Sequence, residues 1–254
     1  MAMKKRTKGN ITAPSLPGKD MLAEVNNNEA GNIYNSLFAK NRKVEYDNKD
    51  IALVNIRTNP DNQIFRAMDD DEDIRILAED IKRNGLMHNL VVFPEQEEGS
   101  AVYVLLSGER RFRALNYLQE KGDATWNIVN CNVVTTPLTE NEKKVLLYSA
   151  NLQVRGGFSD EAIRRQAIAE FITCLQREPY NMSREEALNA TKIVSTVNPR
   201  TIERDARIEE KLKGKLKTLL NDKFLTRSEC ETYLRFEADK QDEIANRFEK
   251  LQAV

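Results

Sequence analysis

Tyr103-Val-Leu-Leu-Ser-Gly-Glu-Arg-Arg-Phe-Arg-Ala-Leu115 is the stretch that decides the fold of this 254-residue chain. An apolar, β-rich run ends at Ser107-Gly108, and a helical period begins at once. At about 100° per residue, Ala114, Leu115 and Leu118 share a buried face. Arg111 projects along that face, with Arg110 and Arg113 on its flanks. An arginine on the apolar side of a helix start needs an anion, because burying it unpaired is costly. Helix N-termini add unpaired N–H groups and about half a positive charge. Together these features predict a phosphate cradle, with Gly108 allowing close approach. The alternative is a structural arginine–carboxylate network using Glu109 and the acidic run Asp69–Asp73.

On either side of this junction the pattern is mixed. Ile51–Ile56, Leu90–Phe93, Ala101–Leu106 and Ile128–Val134 read as strands, and Pro94–Ser100 as a polar loop. Asn59-Pro60-Asp61-Asn62 reads as a turn. Ile74, Leu77, Ala78 and Ile81 mark one face of a helix that Gly85 closes. After Pro137 the chain turns helical. Thr139/Glu142, Ser183/Glu186 and Thr226/Glu229 match the capping box, and Asn198-Pro199 adds another start. Helices are expected near 140–153, 160–177, 184–194, 199–220, 227–236 and 240–251. The fold class is therefore α+β: a flexible arm over 1–43, a mixed α/β domain over 44–136 and an all-α domain over 137–254. The arm holds a short amphipathic piece around Ile33–Phe38.

Composition excludes several classes. Hydrophobic residues make up 40% and charged residues 31%, with no apolar run long enough for a membrane helix. The basic start lacks the apolar segment of a secretory signal. One histidine (His88) and three dispersed cysteines (Cys131, Cys174, Cys230) exclude zinc chemistry and read as reduced thiols in a cytoplasmic protein. His88 reads as a surface or hinge residue and Trp126 as core. The net charge of −1 announces no global polyanion binder, yet residues 198–218 carry 7 basic against 4 acidic side chains.

Gly108-Glu-Arg-Arg-Phe-Arg-Ala114 resembles the GERRxRA motif of the ParB family of DNA-partition proteins. Asn59-Pro60 with Gln63 and Arg66 is similar to the family's NPxQPR motif, loosened by insertion. Glu79–Leu86 followed by Leu90-Val-Val resembles its helix and GxxxPLxV strand, with Asn89 in place of the proline. Asn151-Leu-Gln153 sits where the family has ENxxR, and Leu216–Tyr233 resembles the segment after its helix-turn-helix. The likeness covers roughly residues 50 to 250, and GERRFRA is its specific part.

The resemblance implies a ParB/sulfiredoxin-like N-terminal domain that binds CTP with Mg2+, followed by a helix-turn-helix domain. Gly108, Glu109, Arg110, Arg111, Arg113 and Ala114 would hold the triphosphate, Arg66 would contribute, and Asn151 would help place the metal. In the family, CTP closes dimers into clamps that load at a centromere-like site and spread along DNA. The family's hydrolytic glutamate is Ala150 here, and the motif's arginine is Val154. Nucleotide binding is thus expected while hydrolysis stays open.

Residues 183–210 read as two helices joined by a short turn. The second starts at Pro199 and presents Arg200, Thr201, Arg204 and Arg207, with Lys211 extending toward the backbone. Arginines can read guanine edges bidentately, and hydroxyls or arginines can meet phosphates in a major-groove docking. The alternative is a charged helix that simply faces water. The family also implies a homodimer, formed by the helix around Asp239–Leu251 or by CTP-dependent pairing of the N-terminal domains. A ParA-type ATPase is the implied partner of the arm, through Lys4, Lys5, Arg6 and Lys8, although such arms also touch DNA. Nucleoid association in the cytoplasm follows. Two other classes remain: an operator-binding regulator without nucleotide-driven spreading, and an enzyme of the sulfiredoxin-like, nuclease or kinase kind. The enzyme needs a carboxylate cluster or a reactive cysteine beside the cradle.

Overall fold

A computed structural model describes residues 44–66, 70–97, 100–154, 158 and 160–252. Five strands form one mixed sheet: β1 (Tyr46–Ala52), β2 (Ile56–Arg57), β3 (Leu90–Glu97), β4 (Ser100–Ser107) and β5 (Ile128–Val134). Their spatial order is β1-β5-β3-β4-β2. β1 runs antiparallel to β5 and β3 antiparallel to β4, while β3–β5 and β2–β4 are parallel. The run expected as one strand at Ile51–Ile56 is broken by a 3-10 turn over Leu53–Asn55, and its first part belongs to a longer edge strand beginning at Tyr46. The stretch expected as a loop at Pro94–Ser100 mostly continues the β3–β4 ladder, with Pro94 opposite Tyr103 and Glu95 opposite Val102.

The pleat sends alternate side chains to two faces, and each face has its own cover. One face carries Leu90, Val92, Leu105, Val129, Cys131 and Val133. It packs against α2 (Asp71–Asn84) and α3 (Glu109–Glu120) through Ile74, Ala78, Ile81, Phe112, Ala114 and Leu115. Asp70 caps α2 and Gly85 ends it at φ +80°, the left-handed backbone a glycine supplies without strain. Trp126, expected in the core, is half-buried and packs at that core's margin.

The opposite face presents Phe93, Val104, Leu106 and Val134 to the helices that follow. These are α4 (Glu140–Val154), α5 (Glu161–Gln176), α6 (Arg184–Val194) and α7 (Pro199–Lys211). Val145, Leu152, Ile168, Phe171, Val194 and Ile202 join the strands in one continuous cluster that runs across residues 136 and 137. A third cluster starts on the last turns of α7 at Ile208. It includes α8 (Gly214–Asn221), α9 (Arg227–Tyr233) and α10 (Ala238–Gln252). The helix expected over 199–220 is two helices. Gly214 turns at φ +44°, and the buried Gln241 fixes the corner by accepting from the Lys213 amide (2.9 Å) and donating to the Lys211 carbonyl (3.0 Å). The arm over 1–43, including Ile33–Phe38 and the cations Lys4, Lys5, Arg6 and Lys8, lies outside the described residues.

Candidate functional site: the β4–α3 junction and helix α7

β4 delivers the chain to Gly108, which adopts φ +103° and occupies the N-cap position of α3 with no side chain of its own to cap the helix. The first helical bond closes from the Phe112 amide to the Gly108 carbonyl at 2.8 Å, so the amides of Glu109, Arg110 and Arg111 precede the intrahelical ladder. By contrast Asp70, Asp160, Ser183, Asn198 and Thr226 each cap their own helix with a side-chain oxygen. Parallel pairing of Ile56 with Tyr103 and Arg57 with Val104 leads the segment after β2 along the last residues of β4. Thr58 there lines the same cleft, of about 620 Å³, as Glu109, Phe112 and Arg113. Asn59 caps the 3-10 turn Pro60–Asn62, and Asn62 is buried. Asn151 of α4 donates to Asn62 Oδ1 (3.3 Å) and to the Leu147 carbonyl (2.9 Å), while Lys144 pairs with Asp61 at 3.1 Å. Thr58 thus brings the segment after β2 to the cleft at the start of α3, and Asn151 meets the Asn59–Asn62 turn that follows Thr58.

Individual side chains differ from the sequence reading in instructive ways. Arg111 does not require an anion to settle it, because its guanidinium donates to the carbonyls of His88 and, at 2.9 Å, Asn89. It clamps the turn that leads into β3. Ala114 is fully buried and packs in the core, and Glu109 is buried as well. Arg113 pairs with Asp71 at 3.1 Å, so the structural network weighed against a phosphate cradle is present in part. Arg110 is exposed. Arg66 ends the short helix α1 (Gln63–Arg66), and its side chain is outside the described residues. Gly108 has no room for a Cβ, which would stand 2.8 Å from Leu90 Cδ2 and 3.2 Å from an Arg111 nitrogen. Asn89 uses a reach that proline lacks: its amide donates to Asn130 Oδ1 (2.8 Å) and Asn132 Oδ1 (3.4 Å) across to β5.

The enzymatic alternative finds little support among these groups. Cys131 is fully buried, and burial together with the nearby Asp50 charge pushes its thiol up to about 11, far from the thiolate a nucleophile needs. Ala150 is buried in place of a carboxylate. Among the described residues no three His, Cys, Asp or Glu side chains gather as a metal site, and no helix is long and apolar enough to cross a membrane.

α6 and α7 are joined by the four residues 195–198, and Asn198 caps α7 by accepting from the Arg200 amide at 2.9 Å. Ile202, Asp205, Ala206 and Ile208 face inward. Arg200, Arg207 and Lys211 are exposed, and Thr201 and Arg204 are half-buried. Arg200 and Lys211 form no ion pair with any described residue. Arg204 and Arg207 instead share one carboxylate, Glu231 of α9, and Ser228 Oγ also accepts from Arg204 at 3.3 Å. On the other flank, Lys192 and Arg184 of α6 pair with Glu203 and Glu210 of α7. Beneath α7, Asp205 is fully buried and accepts from Arg164 at 2.7 Å, with Arg227 at 3.6 Å. Arg165, also buried, bonds to Asn221 at 2.6 Å and faces Glu209 at 3.4 Å. Sequence reading missed this buried network. Its signal was Arg164-Arg165 on a helix whose buried face is otherwise Ala167, Ile168, Phe171, Ile172, Cys174 and Leu175.

Residues 37–142 match the family model described as the ParB N-terminal domain. No curated protein matches the chain. Among solved structures, the chain is similar to a C-terminally truncated chromosome-partitioning protein ParB from Caulobacter crescentus, complexed with CTP-γ-S. The identity is 19%, the match covers 79% of this chain and 98% of that one, and the TM-score is 0.34. Two structures of a pNOB8-like ParB N-domain show 11% and 12% identity, cover 81% and 83% of this chain and 98% and 91% of theirs, and give TM-scores of 0.47 and 0.38. Overlaps this loose transfer no residue-level geometry. What the comparisons show is therefore a match between residues 37–142 of this chain and the ParB N-terminal domain.

Proposed function

We propose that the protein is a DNA-partition factor that binds CTP at the start of α3 and double-stranded DNA through α7. The observation that carries the nucleotide half is the arginine-bearing start of α3, with glycine at its N-cap, sharing a cleft with Thr58 just ahead of the Asn59–Asn62 turn that Asn151 holds. Helix-start amides and a macrodipole favour phosphate there, and Arg110 and Arg113 add charge that can reach it. Gly108 and Glu109 shape the backbone, Arg111 fixes the neighbouring turn, and Ala114 lets α3 lie close on the sheet. A triphosphate fits this set. Magnesium fits as its companion: among the described residues no carboxylate cluster would hold the ion alone, and Asn151 brings a neutral amide oxygen. Magnesium commonly arrives with phosphates and keeps several waters, and bound here it would neutralise phosphate charge. Ala150 supplies no carboxylate for hydrolysis, so the role proposed is binding.

For the DNA half, Arg200 and Lys211 are the immediate contacts, Thr201 lies beside them, and Arg204 and Arg207 follow on the same helix. Such a factor would work in the cytoplasm at the nucleoid, as a dimer. A ParA-type ATPase would meet its N-terminal arm.

Calorimetry with magnesium tests the nucleotide half. CTP is expected to bind while ATP and GTP do not. Arg110→Ala and Arg113→Ala should each weaken binding about tenfold or more, the worth of one charge-assisted hydrogen bond. Arg111→Ala is a poor probe because it also frees the His88–Asn89 turn. A folded protein that takes up no CTP would overturn the reading.

A further inference from the structure

Helix α7 meets opposite charge on both flanks, yet the two flanks differ. Toward α6, the helix contributes acids and receives cations from Arg184 and Lys192. Toward α9 the roles reverse: α7 contributes Arg204 and Arg207, and a single acid answers both. Glu231 Oε1 accepts from Arg207 at 2.7 Å while Oε2 accepts from Arg204. The carboxylate is three-quarters covered, at 26% side-chain exposure, whereas Arg207 is 53% exposed. The hydrogen bond from Arg204 lowers this carboxyl from its ordinary value, with Arg207 acting in the same direction, so both guanidiniums favour its charged form. One carboxylate oxygen thus stands against each guanidinium, as a DNA phosphate would.

We propose that Glu231 is a specificity-determining residue that occupies Arg204 and Arg207 as an internal substitute for DNA phosphate, suppressing non-specific binding through α7. The inference rests on α7 being the DNA-binding helix. A random duplex offers phosphates but no matching base edges, so it must displace a carboxylate already in place and gains little. A matched site adds base contacts that can meet that cost. Arg200 and Lys211, which form no ion pair with a described carboxylate, are exposed and stay available to any duplex. Glu231 therefore divides the cations of one helix into two open and two reserved.

The test uses the full-length protein and a short fluorescent duplex of mixed sequence, read by anisotropy across a salt series. Glu231→Gln should bind roughly 1.5- to fivefold tighter at low salt, the range an exposed ion pair is worth. Its log K against log salt slope should steepen by up to ~1.8, about 0.9 for each arginine released to a phosphate. Adding Arg207→Ala to Glu231→Gln should remove part of that gain. Glu243→Gln deletes the same charge from α10 without touching the α7 arginines, and its gain should be clearly smaller. Equal or weaker binding by Glu231→Gln, or an equal gain from Glu243→Gln, overturns the proposal while leaving α7 as a DNA helix. Arg200→Ala separates the two ideas, since it should weaken every protein in the set. If none of them binds duplex while all keep the wild-type circular dichroism, the DNA reading falls and this proposal falls with it.

Discussion

Gly108→Ala is expected to destabilise the sheet–α3 unit by about 2–5 kcal/mol, from two separable causes. The first is the backbone: φ is +103°, and an L-residue in left-handed territory costs roughly 1–2 kcal/mol. The second is packing, because the added Cβ would stand 2.8 Å from Leu90 Cδ2, and Leu90 is fully buried at the start of β3. Forcing extra carbon into a filled core typically costs about 1–3 kcal/mol. For a chain of this length each kcal/mol moves the melting temperature by about 2–4 °C, so a drop of roughly 4–20 °C is expected. Trp126, the sole tryptophan, packs at the margin of the same core and reports the transition by fluorescence in urea or on heating. A Leu90→Val background removes both δ carbons. There the cost of Gly108→Ala should fall to the backbone part, leaving a coupling of about 1–3 kcal/mol between the two sites. A variant within about 0.5 kcal/mol of wild type, or an equal cost in both backgrounds, would refute this account of the glycine.

Two further outcomes follow from the helical half. Asp205→Ala leaves the nearly buried guanidinium of Arg164 with Glu161 at 3.7 Å in place of its 2.7 Å partner and should cost about 3–5 kcal/mol in urea unfolding, with the double variant Asp205→Ala/Arg164→Leu recovering much of it. Glu229 caps α9, and its bonds to Thr226 hold its carboxyl below the ordinary 4.5. A lowered folded value means stabilisation that is complete above about 4.5 and lost as pH falls through the folded value. The stability gap between wild type and Glu229→Gln should therefore be widest near neutrality and close as the pH drops below 4.5; a gap that does not change with pH would contradict it.

How much of this was legible in the sequence depends on which force decided each element. α6 was readable to the residue, because Ser183 and Glu186 fix its start and Thr196–Pro199 cannot continue it. The β4–α3 junction was readable because an apolar run, a glycine and a helical period abut. β1 was half missed: its exposed Asp47, Asn48, Lys49 and Asp50 carry no hydrophobic signal, and only pairing with Asn130–Val133 makes them a strand. The long helix through Leu212 failed because Gln241, 28 residues beyond the corner, holds it open. At the cradle, chemistry and place were separable. The arginine cluster was visible, but that Arg111 serves two carbonyls depends on where β3 begins. At α7, the cations were visible and their partner on α9 was not, since spacing within one helix says nothing about an acid some 24–27 residues away.

The core that runs unbroken from Phe93 and Leu106 through Leu152 to Ile202 constrains how such a protein can change over generations. Recombination that joins this α/β half to a foreign helical half at residue 137 would set two unmatched apolar surfaces against each other. A larger side chain on α4 or α5 must be answered by a smaller one on β3 or β4. Inheritance would keep these halves together as a pair, and leave the segment from Leu212 onward, with its own core, as the part most easily exchanged.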